Sequence, residues 1–443
     1  MTKITLAIGL LLAISLNSSG QNVWSLQRCI DYAVKNNVQI KQGEVATQYQ
    51  QNLLKQSKYA RLPNLSGSAS QNFNYGRSLT YNNTYQNINS AQTDVGLSTS
   101  LPIFDGFQIK NNITMTDLNL QASLQDLEKA KSDITMNIAS TYLQILFDKD
   151  LIKVSQDQLA ITNQTINQTR EKVEAGSLAK GSLLEIQAQA AGEELTIVNA
   201  QNQLELDKLK LTQLLEIQSS DNFDIETPVL PEIKAQASLV PSNDVFRTAL
   251  TFRPEIRGAD FRVQSSQYQL KVAQGNLYPT LSFFANFYDN YNNKYKDNDG
   301  NAINFGSQFK NNQRKGLGLQ MSIPVFTRLQ NKTSIANAQL QVLNNQLNLE
   351  AAKKTLRSDI ETAQTNAIGA LNRYLSNGKA VASMKEAFRY AEEKFNVGMV
   401  NTVEYNTAKN NLAKAESDLL QAKYEFIFRS KILDFYHGTP ITL

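Results

Sequence analysis

The hydrophobic residues of this chain follow two kinds of spacing. Most of the sequence carries apolar residues at helical intervals among Gln, Asn, Ala and Lys. Four short runs instead alternate apolar and polar residues with a period of two, which is typical of strands with one apolar face. The clearest of these runs is VGLSTSLPIF, residues 95–104. The pattern predicts a mainly α-helical protein with four β-strands.

The chain contains an internal repeat. A shift of 222 positions places VGLSTSLPIF on LGLQMSIPVF (317–326), and places EKVEAGSL (171–178) on EKFNVGMV (393–400). Upstream of these strands the shift is 216, which brings LPNLS (62–66) onto YPTLS (278–282). Self-similarity on this scale predicts two structural units with the same order of elements.

The hydrophobic pattern within each repeat predicts a helix, a β-hairpin and two long helices. The helices of each long pair meet near Gly176 or Gly398, which we expect to form the helix-turn tips. Seven-residue apolar rows in these helices indicate coiled-coil packing, and 65 residues of helix would extend about 100 Å. In the first repeat the shorter elements are predicted to be a helix at 25–60 and strands at 64–75 and 94–103. In the second repeat they are predicted to be a helix at 242–276 and strands at 280–291 and 316–325.

The N-terminus has the pattern of a secretory signal peptide. One lysine precedes an apolar run at 4–16, and small residues follow it. A membrane anchor is the alternative, but a spanning helix needs about 20 residues. The predicted domain boundaries are 1–20 for the signal peptide, 21–217 for the first repeat with its hairpin at 64–103, 218–245 for a linker or equatorial element, 246–437 for the second repeat with its hairpin at 280–325, and 438–443 for a C-terminal tail.

The four strands fit a membrane in both length and pattern. Runs of about 9–11 residues that alternate apolar and polar side chains are typical of transmembrane β-barrels. Aromatic residues near the strand ends, including Phe104 and Tyr288, suggest an interfacial girdle. The strand residues predicted to face lipid are Val95, Leu97, Leu101, Leu281, Phe283, Leu317, Leu319, Met321 and Ile323.

Prolines suit the corners between strand and helix, because proline lacks an N–H and disfavours helix in the residue before it. These predicted corners are Pro63, Pro102, Pro279 and Pro324.

Four strands are too few for a barrel made by one chain. About eight strands form the smallest workable barrel, and an open sheet edge is not tolerated in lipid. The strands therefore predict an oligomeric barrel. An ordinary half-buried hairpin in an exported, soluble coiled-coil scaffold or adaptor is the alternative interpretation.

Composition argues against several other functions. The chain has 443 residues and a net charge of +4, which gives no sign of nucleic-acid binding. It has one cysteine and one histidine, which exclude an internal disulfide and a metal site built from these residue types. We find no catalytic constellation and no nucleotide-binding motif, so we expect neither enzymatic activity nor a cofactor.

The chain resembles the TolC-like outer-membrane efflux protein family. The resemblance covers essentially the whole mature chain and rests on the duplicated order of elements, the LP or YP entry and SLPIF or SIPVF exit of each hairpin, and the EKxxxG turns. The Asn- and Gln-rich loops and the PIFDGF stretch are similar to Bacteroidetes-type members. The resemblance implies a homotrimer with a twelve-stranded β-barrel in the outer membrane and an α-barrel in the periplasm. It also implies a passive duct for tripartite efflux or type I secretion, which a periplasmic adaptor and an inner-membrane transporter recruit.

The resemblance further implies a gate at the periplasmic tip. Family members place acidic residues shortly after the second glycine turn, and Glu404 occupies the first such position. Converging carboxylates at a narrow pore would bias passage by charge. The other candidates are Glu185, in the first repeat, and Tyr405. For Glu404 the alternative is a solvated residue in the first turn of a helix, and for Tyr405 it is plain helix packing.

Overall fold

The computed structural model describes residues 22–79, 83–219, 223–230, 233 and 240–442. The predicted signal peptide lies outside these residues, as does part of the predicted linker. The elements are β1 (Asn22–Trp24), α1 (Leu26–Asn36), α2 (Val38–Tyr59), β2 (Asn64–Asn74), β3 (Arg77–Leu79), β4 (Tyr85–Asn87), β5 (Ser90–Phe104), α3 (Gln108–Glu174), α4 (Lys180–Leu214), β6 (Phe223–Ile225), α5 (Ser242–Phe252), α6 (Pro254–Gly275), β7 (Thr280–Asn292), α7 (Phe305–Asn311), β8 (Arg314–Ser322), α8 (Gln330–Asn396) and α9 (Thr402–His437).

Corresponding elements repeat at the spacings found in the sequence. Helix α5 begins 216 residues after α1, and α8 begins 222 residues after α3 (242 − 26 and 330 − 108). Helices α3 and α8 both contain 67 residues. The internal duplication is therefore present in the backbone as well as in the sequence.

The single helix predicted at the start of each repeat is in fact two helices. Asn37 and Arg253 adopt extended backbone angles between them, with ψ of 131° and 127°. The Asn37 side chain accepts a hydrogen bond from the backbone N–H of Gln39 at 2.9 Å, so it caps the second helix. In the second repeat Pro254 occupies the first position of α6, where a missing N–H costs nothing.

The corners between strand and helix lie slightly beyond two of the predicted prolines. Pro63 and Pro279 directly precede β2 and β7, but β5 continues past Pro102 to Phe104, with a register shift between them. The chain then turns through two residues with positive φ, namely Gly106 (67°) and Phe107 (66°). Their counterparts 222 positions later do the same. An added Cβ at Gly106 would overlap the carbonyl oxygen of Gly275, so this turn requires glycine.

The chain forms two compact units, and each draws segments from both repeats. The first comprises the described parts of 1–45, 125–257 and 351–443, and the second comprises 46–124 and 258–350. The second unit holds the membrane-length strands, and its helices are joined by hydroxyl contacts such as that between Ser57 and Thr116 at 2.9 Å.

A large apolar core forms within the first unit. It includes fully buried Cys29, Ile138 and Leu211. Strands β1 and β6 pair in parallel beside it, and the Tyr142 hydroxyl donates to the carbonyl oxygens of Trp24 and Glu226. This short sheet, which sequence patterns did not predict, ties the start of the described chain to the segment between the repeats. Among the helices that the structure describes, none is both long and apolar enough to cross a bilayer.

The two turns between the long helices have the same geometry. Gly176 and Gly398 have φ of 75° and 76°. The amide after each glycine donates to a carbonyl five residues earlier, Ser177 to Lys172 at 2.9 Å and Met399 to Lys394 at 2.8 Å. This is the Schellman arrangement, in which a left-handed residue, usually glycine, ends a helix.

Substitution of Gly398 by alanine tests this assignment. An added Cβ would meet nothing within 4 Å, so only the left-handed backbone is penalised, and we expect Gly398→Ala to lose about 1–2 kcal/mol of stability. Gly378→Ala is the matched control, because that site is also uncrowded but lies inside helix α8, where alanine is favoured by about 1 kcal/mol. Thermal unfolding in detergent measures both. Equal shifts of the two variants in the same direction would contradict the assignment.

Candidate functional site

The membrane-length strands form one antiparallel sheet. Their order is β2-β5-β7-β8, so the two hairpins join through β5 and β7. Strands β2 and β8 lie at the edges, and each has one side that pairs with no other strand that the structure describes. The sheet therefore exposes backbone donors and acceptors along two edges, which only another chain or a covering segment can satisfy.

One face of this sheet is apolar along most of its length, with the buried Asp289, opposite Val95, as an exception near the loop end. Residues that stand opposite each other in adjacent strands share a face, and Phe283 stands opposite both Leu101 and Leu319. The same face carries Val95, Leu97, Leu281, Leu317 and Met321. Leu317 is 78% exposed and Met321 61% in the single chain. The structure thus brings eight of the nine residues predicted to face lipid onto one exposed surface of the sheet.

Ile323 differs from the other eight. Strand β8 ends at Ser322, so Ile323 lies just past the sheet, immediately before Pro324. Proline has no N–H to donate and constrains the residue before it, which explains why the strand stops earlier than predicted.

The opposite face of the sheet is polar. The hydroxyl groups of Ser66 and Ser98 share a hydrogen bond of 2.8 Å across β2 and β5. The Asp94 carboxylate accepts hydrogen bonds from Gln92 at 2.8 Å, and from Tyr288. Tyr288 was predicted to belong to the aromatic girdle, but its ring lies on this polar face instead. Its parity in β7 places it opposite Gly96, where the absence of a side chain leaves room for the ring.

A cluster of buried aromatic rings lies near the second helix turn. The Tyr405 ring stacks on Phe395 with centroids 4.8 Å apart, and it also contacts Phe388 at 5.5 Å. Its hydroxyl group hydrogen-bonds to that of Thr165 at 3.0 Å. Tyr405 is only 1% exposed, so it packs helices together in this structure and lines no surface of the chain.

The two acidic gate candidates are on the surface. Glu404 is exposed in the first turn of α9, where its backbone N–H donates to the Asn401 side chain at 2.9 Å. Glu185 is exposed in α4. The structure does not pair either carboxylate with a basic side chain among the residues that it describes. Both are therefore free to contribute negative charge at the helix tips.

A buried lysine joins three helices below these tips. The Lys409 ammonium group of α9 donates to the carbonyl oxygen of Gln158 at 2.8 Å, to the hydroxyl group of Thr162, and to the carboxylate of Glu193 at 2.9 Å. The lysine is 1% exposed, and burial lowers its pKa while Glu193 opposes that shift. Loss of one partner would leave an unpaired buried charge, which costs several kcal/mol. The sequence contains a signal for this contact, since Lys409 lies four residues after Tyr405, on the packed side of α9.

Two buried carboxyl groups face each other between α3 and α4. Asp148 is 2% exposed and Asp207 is 8% exposed. Gln144 donates to Asp148 at 3.0 Å, and Gln203 donates to Asp207 at 2.8 Å. Burial, together with neighbouring Asp207, raises the pKa of Asp148 to about 7. Asp148 therefore keeps its proton at pH values where an exposed aspartate is ionised.

The remaining reactive side chains give no sign of a catalytic centre. Cys29 is fully buried, and burial raises the pKa of its thiol to about 12, so it is not a nucleophile. His437 is the last residue of α9. Within the described ranges, no three His, Cys, Asp or Glu side chains are grouped as ligands of a metal ion would be.

Comparison with known proteins decides the family. The profile of the family described as outer membrane efflux protein matches residues 29–215 and 245–438, which is most of the chain. The chain belongs to the outer membrane efflux protein family. Membership confirms the resemblance found in the sequence and places the chain in the outer membrane with a role in efflux. Proteins of this family act as channels rather than enzymes.

Individual relatives agree with this assignment. The outer membrane efflux protein BepC of Brucella suis is 22% identical over 407 residues, which cover 90% of this chain and 82% of BepC. Among solved structures, the Campylobacter jejuni CmeC outer membrane channel matches with a TM-score of 0.79 and 18% identity, covering 94% of this chain and 86% of CmeC. The Vibrio cholerae outer membrane protein VceC matches with a TM-score of 0.78 and 16% identity, covering 94% and 97%. These structures confirm the predicted fold, with long helices and two β-hairpins.

The Asp148 and Asp207 pair predicts an unusual dependence of stability on pH. An unfolded aspartate has a pKa near 3.9, whereas Asp148 in the folded chain has a pKa of about 7. Between these values the folded chain keeps a proton that the unfolded chain has released, so the free energy of unfolding falls as pH rises from about 4 to about 7. Asp148→Asn removes this term. We expect the variant to raise the unfolding temperature more at pH 8 than at pH 5.

Asp157→Asn is the control for this experiment, because Asp157 is exposed on the same helix and should shift the unfolding temperature equally at the two pH values. If Asp148→Asn also gave the same shift at pH 5 and pH 8, Asp148 would not keep a proton in the folded chain.

Proposed function

We propose that three copies of this chain form a passive exit duct for substrates of a tripartite efflux or type I secretion system. The sheets of the three copies close a twelve-stranded β-barrel in the outer membrane, and the long helices form a periplasmic α-barrel. An inner-membrane transporter supplies the energy, and a periplasmic adaptor joins it to the duct. The comparison with CmeC, which is itself an outer membrane channel, supports the duct.

The observation that carries this proposal is the combination of an apolar sheet face with two open edges. Lipid contains no water that could satisfy unpaired backbone groups, so a four-stranded sheet is stable there only in a closed assembly. The apolar face carrying Leu97 and Leu319 meets the acyl chains, and the polar face carrying Ser98 and Asp94 lines the lumen. The edges at β2 and β8 pair with neighbouring copies.

The periplasmic end is proposed to close at the helix turns. The tips at Gly176 and Gly398 hold their helices in a fixed reversal, and Glu404 follows the second tip by six residues. Three copies of Glu404 would converge at a constriction and favour cations over anions. Glu185 is the corresponding candidate in the first repeat. Tyr405 takes a packing role in this proposal, because its ring is buried among Phe388 and Phe395.

Arginine substitutions on the two faces of strand β8 test the lipid contact. Leu319→Arg places a charge on the apolar face and should cost about 2–4 kcal/mol if that face meets lipid near the centre of the bilayer. Gln320→Arg is the matched control, because its side chain lies on the polar face one residue away. We expect Leu319→Arg to reduce the yield of assembled, membrane-inserted oligomer while Gln320→Arg leaves it close to the parent level.

Separation on semi-native gels after membrane fractionation measures the yield of both variants. Equal tolerance of the two arginines, together with a protein that stays soluble without detergent, would favour the exported scaffold instead of the duct.

Neutralisation of Glu404 tests the gate. We expect Glu404→Gln to reduce cation preference or change the single-channel conductance in planar bilayers, because the variant removes three negative charges from the constriction. Glu205→Gln is the control, since Glu205 is an exposed glutamate of α4 far along the helix from the tip. Glu185→Gln tests the first-repeat candidate separately. An unchanged current in Glu404→Gln would overturn the assignment of Glu404 but not the duct.

A further inference from the structure

The loop of the second hairpin folds back onto its own strand. Helix α7 lies in this loop, and Gln308 within it is only 2% exposed. The Gln308 amide donates to the carbonyl oxygens of Asn292 and Ile303, at 2.9 and 2.8 Å, and its oxygen accepts from the Asn292 N–H at 2.9 Å. The Asn312 amide donates to the Asn290 carbonyl at 2.8 Å. These bonds fix the loop against the end of β7.

The fixed loop extends the apolar face of the sheet with aromatic rings. Tyr291 stands opposite Thr93, which has the same parity as Val95 and Leu97, so its side chain belongs to the apolar face. The ring of Phe305 lies 5.1 Å from that of Tyr291, and the ring of Phe309 stacks on Phe305 at 4.3 Å. Aromatic rings at the end of a lipid-facing strand are typical of the bilayer interface.

Basic residues lie close in sequence to two of these rings, Phe305 and Phe309. The stretch FGSQFKNNQRK, residues 305–315, contains three basic residues and no acidic residue. Lys315 stands opposite Phe287 on the apolar face, and Lys310 is exposed on α7. In the part of the chain that the structure describes, neither lysine has an ion-pair partner. Arg314 stands opposite Tyr288 and so belongs to the polar face.

The acidic residues of the same loop do not neutralise this charge. The Asp297 carboxylate accepts from the backbone N–H groups of Asp299 and Asn301 at 3.0 and 2.8 Å, so it closes the tip of the loop. Asp299 lies in that tip, six residues before α7 begins, and two lysines of the tip, Lys294 and Lys296, balance the two aspartates.

We propose that Tyr291, Phe305, Phe309, Lys310 and Lys315 form a binding surface for the phosphate-bearing headgroup of an outer-leaflet glycolipid. The rings lie at the level where headgroup meets acyl chain, and the long lysine side chains reach outward to the phosphates. This inference rests on the proposed function, because it requires the apolar face to meet lipid. It adds that the contact with lipid is selective for headgroup charge on one hairpin of each copy.

Native mass spectrometry of the detergent-purified, full-length assembly tests the surface. The probes are phosphorylated lipid A, the same lipid after removal of its phosphates, and inorganic phosphate as a competitor. We expect the parent protein to retain phosphorylated lipid A over the dephosphorylated form, and Lys310→Gln with Lys315→Gln to lower that preference by about five-fold per lysine. Millimolar inorganic phosphate should not displace the lipid, because the rings also hold its acyl region.

Two further double variants serve as a control for the lysine substitutions and as a test of the aromatic rings. Lys55→Gln with Lys58→Gln removes two exposed lysines from helix α2 and should leave the preference unchanged. Phe305→Ala with Phe309→Ala should lower retention of both lipid forms alike. Equal retention of the two lipid forms by the parent, or an unchanged preference in the Lys310 and Lys315 variant, would overturn the proposal. A parent that conducts in planar bilayers but shows no preference would refute the headgroup surface while leaving the duct in place.

Discussion

The requirement that every backbone polar group in hydrocarbon be paired governs this molecule. In the described part of each chain there are four strands of membrane length, and their sheet keeps two open edges at β2 and β8. In water such edges are a hazard for aggregation, and in lipid they are not tolerated. In the proposed duct the sheet is therefore one part of a closed barrel, with its apolar face on the outside and its polar face on the inside.

Internal duplication gives the chain two β-hairpins, and corresponding turns in the two repeats have nearly the same backbone angles. The left-handed turns at Gly176 and Gly398 match within one degree of φ. At the corner after each hairpin, Arg328 and Leu329 of the second repeat adopt the positive φ that Gly106 and Phe107 adopt in the first. Non-glycine residues in this region carry a steric cost. The second repeat keeps the conformation with arginine at the position of Gly106, so it is the close approach of Gly275, and not the turn itself, that requires glycine in the first repeat.

Sequence patterns predicted much of this fold because the informative signals are local. The period-two alternation around Leu97 and Leu319 grouped residues that share one face of the sheet without knowledge of the strand pairing, and the repeat identified the turns. The predictions that were wrong also concern local features of the chain. Asn37 divides a helix that apolar spacing alone describes as continuous, and Tyr288 was assigned to the girdle by its position near a strand end rather than by its parity.

The polar contacts inside the helical unit could not be predicted in the same way. Lys409 meets Glu193, and Asp148 meets Asp207, across separate helices, and no single-helix pattern encodes such a pairing. Helical spacing shows that Lys409 lies on the packed side of its helix, but the identity of its partner depends on the three-dimensional register. The candidate site is thus predictable at the sheet and the tips, and unpredictable where side chains from different helices meet.

The buried ion pair has a consequence for the register of the long helices. Apolar side chains repeat along these helices, so a helix could slide by one turn and still meet apolar neighbours. Lys409 and Glu193 oppose such a slip, because the two charges meet in one register only. A shift of one turn would separate them and leave a buried charge unpaired, at a cost of several kcal/mol. One polar contact thereby fixes the axial position of α9 against α4.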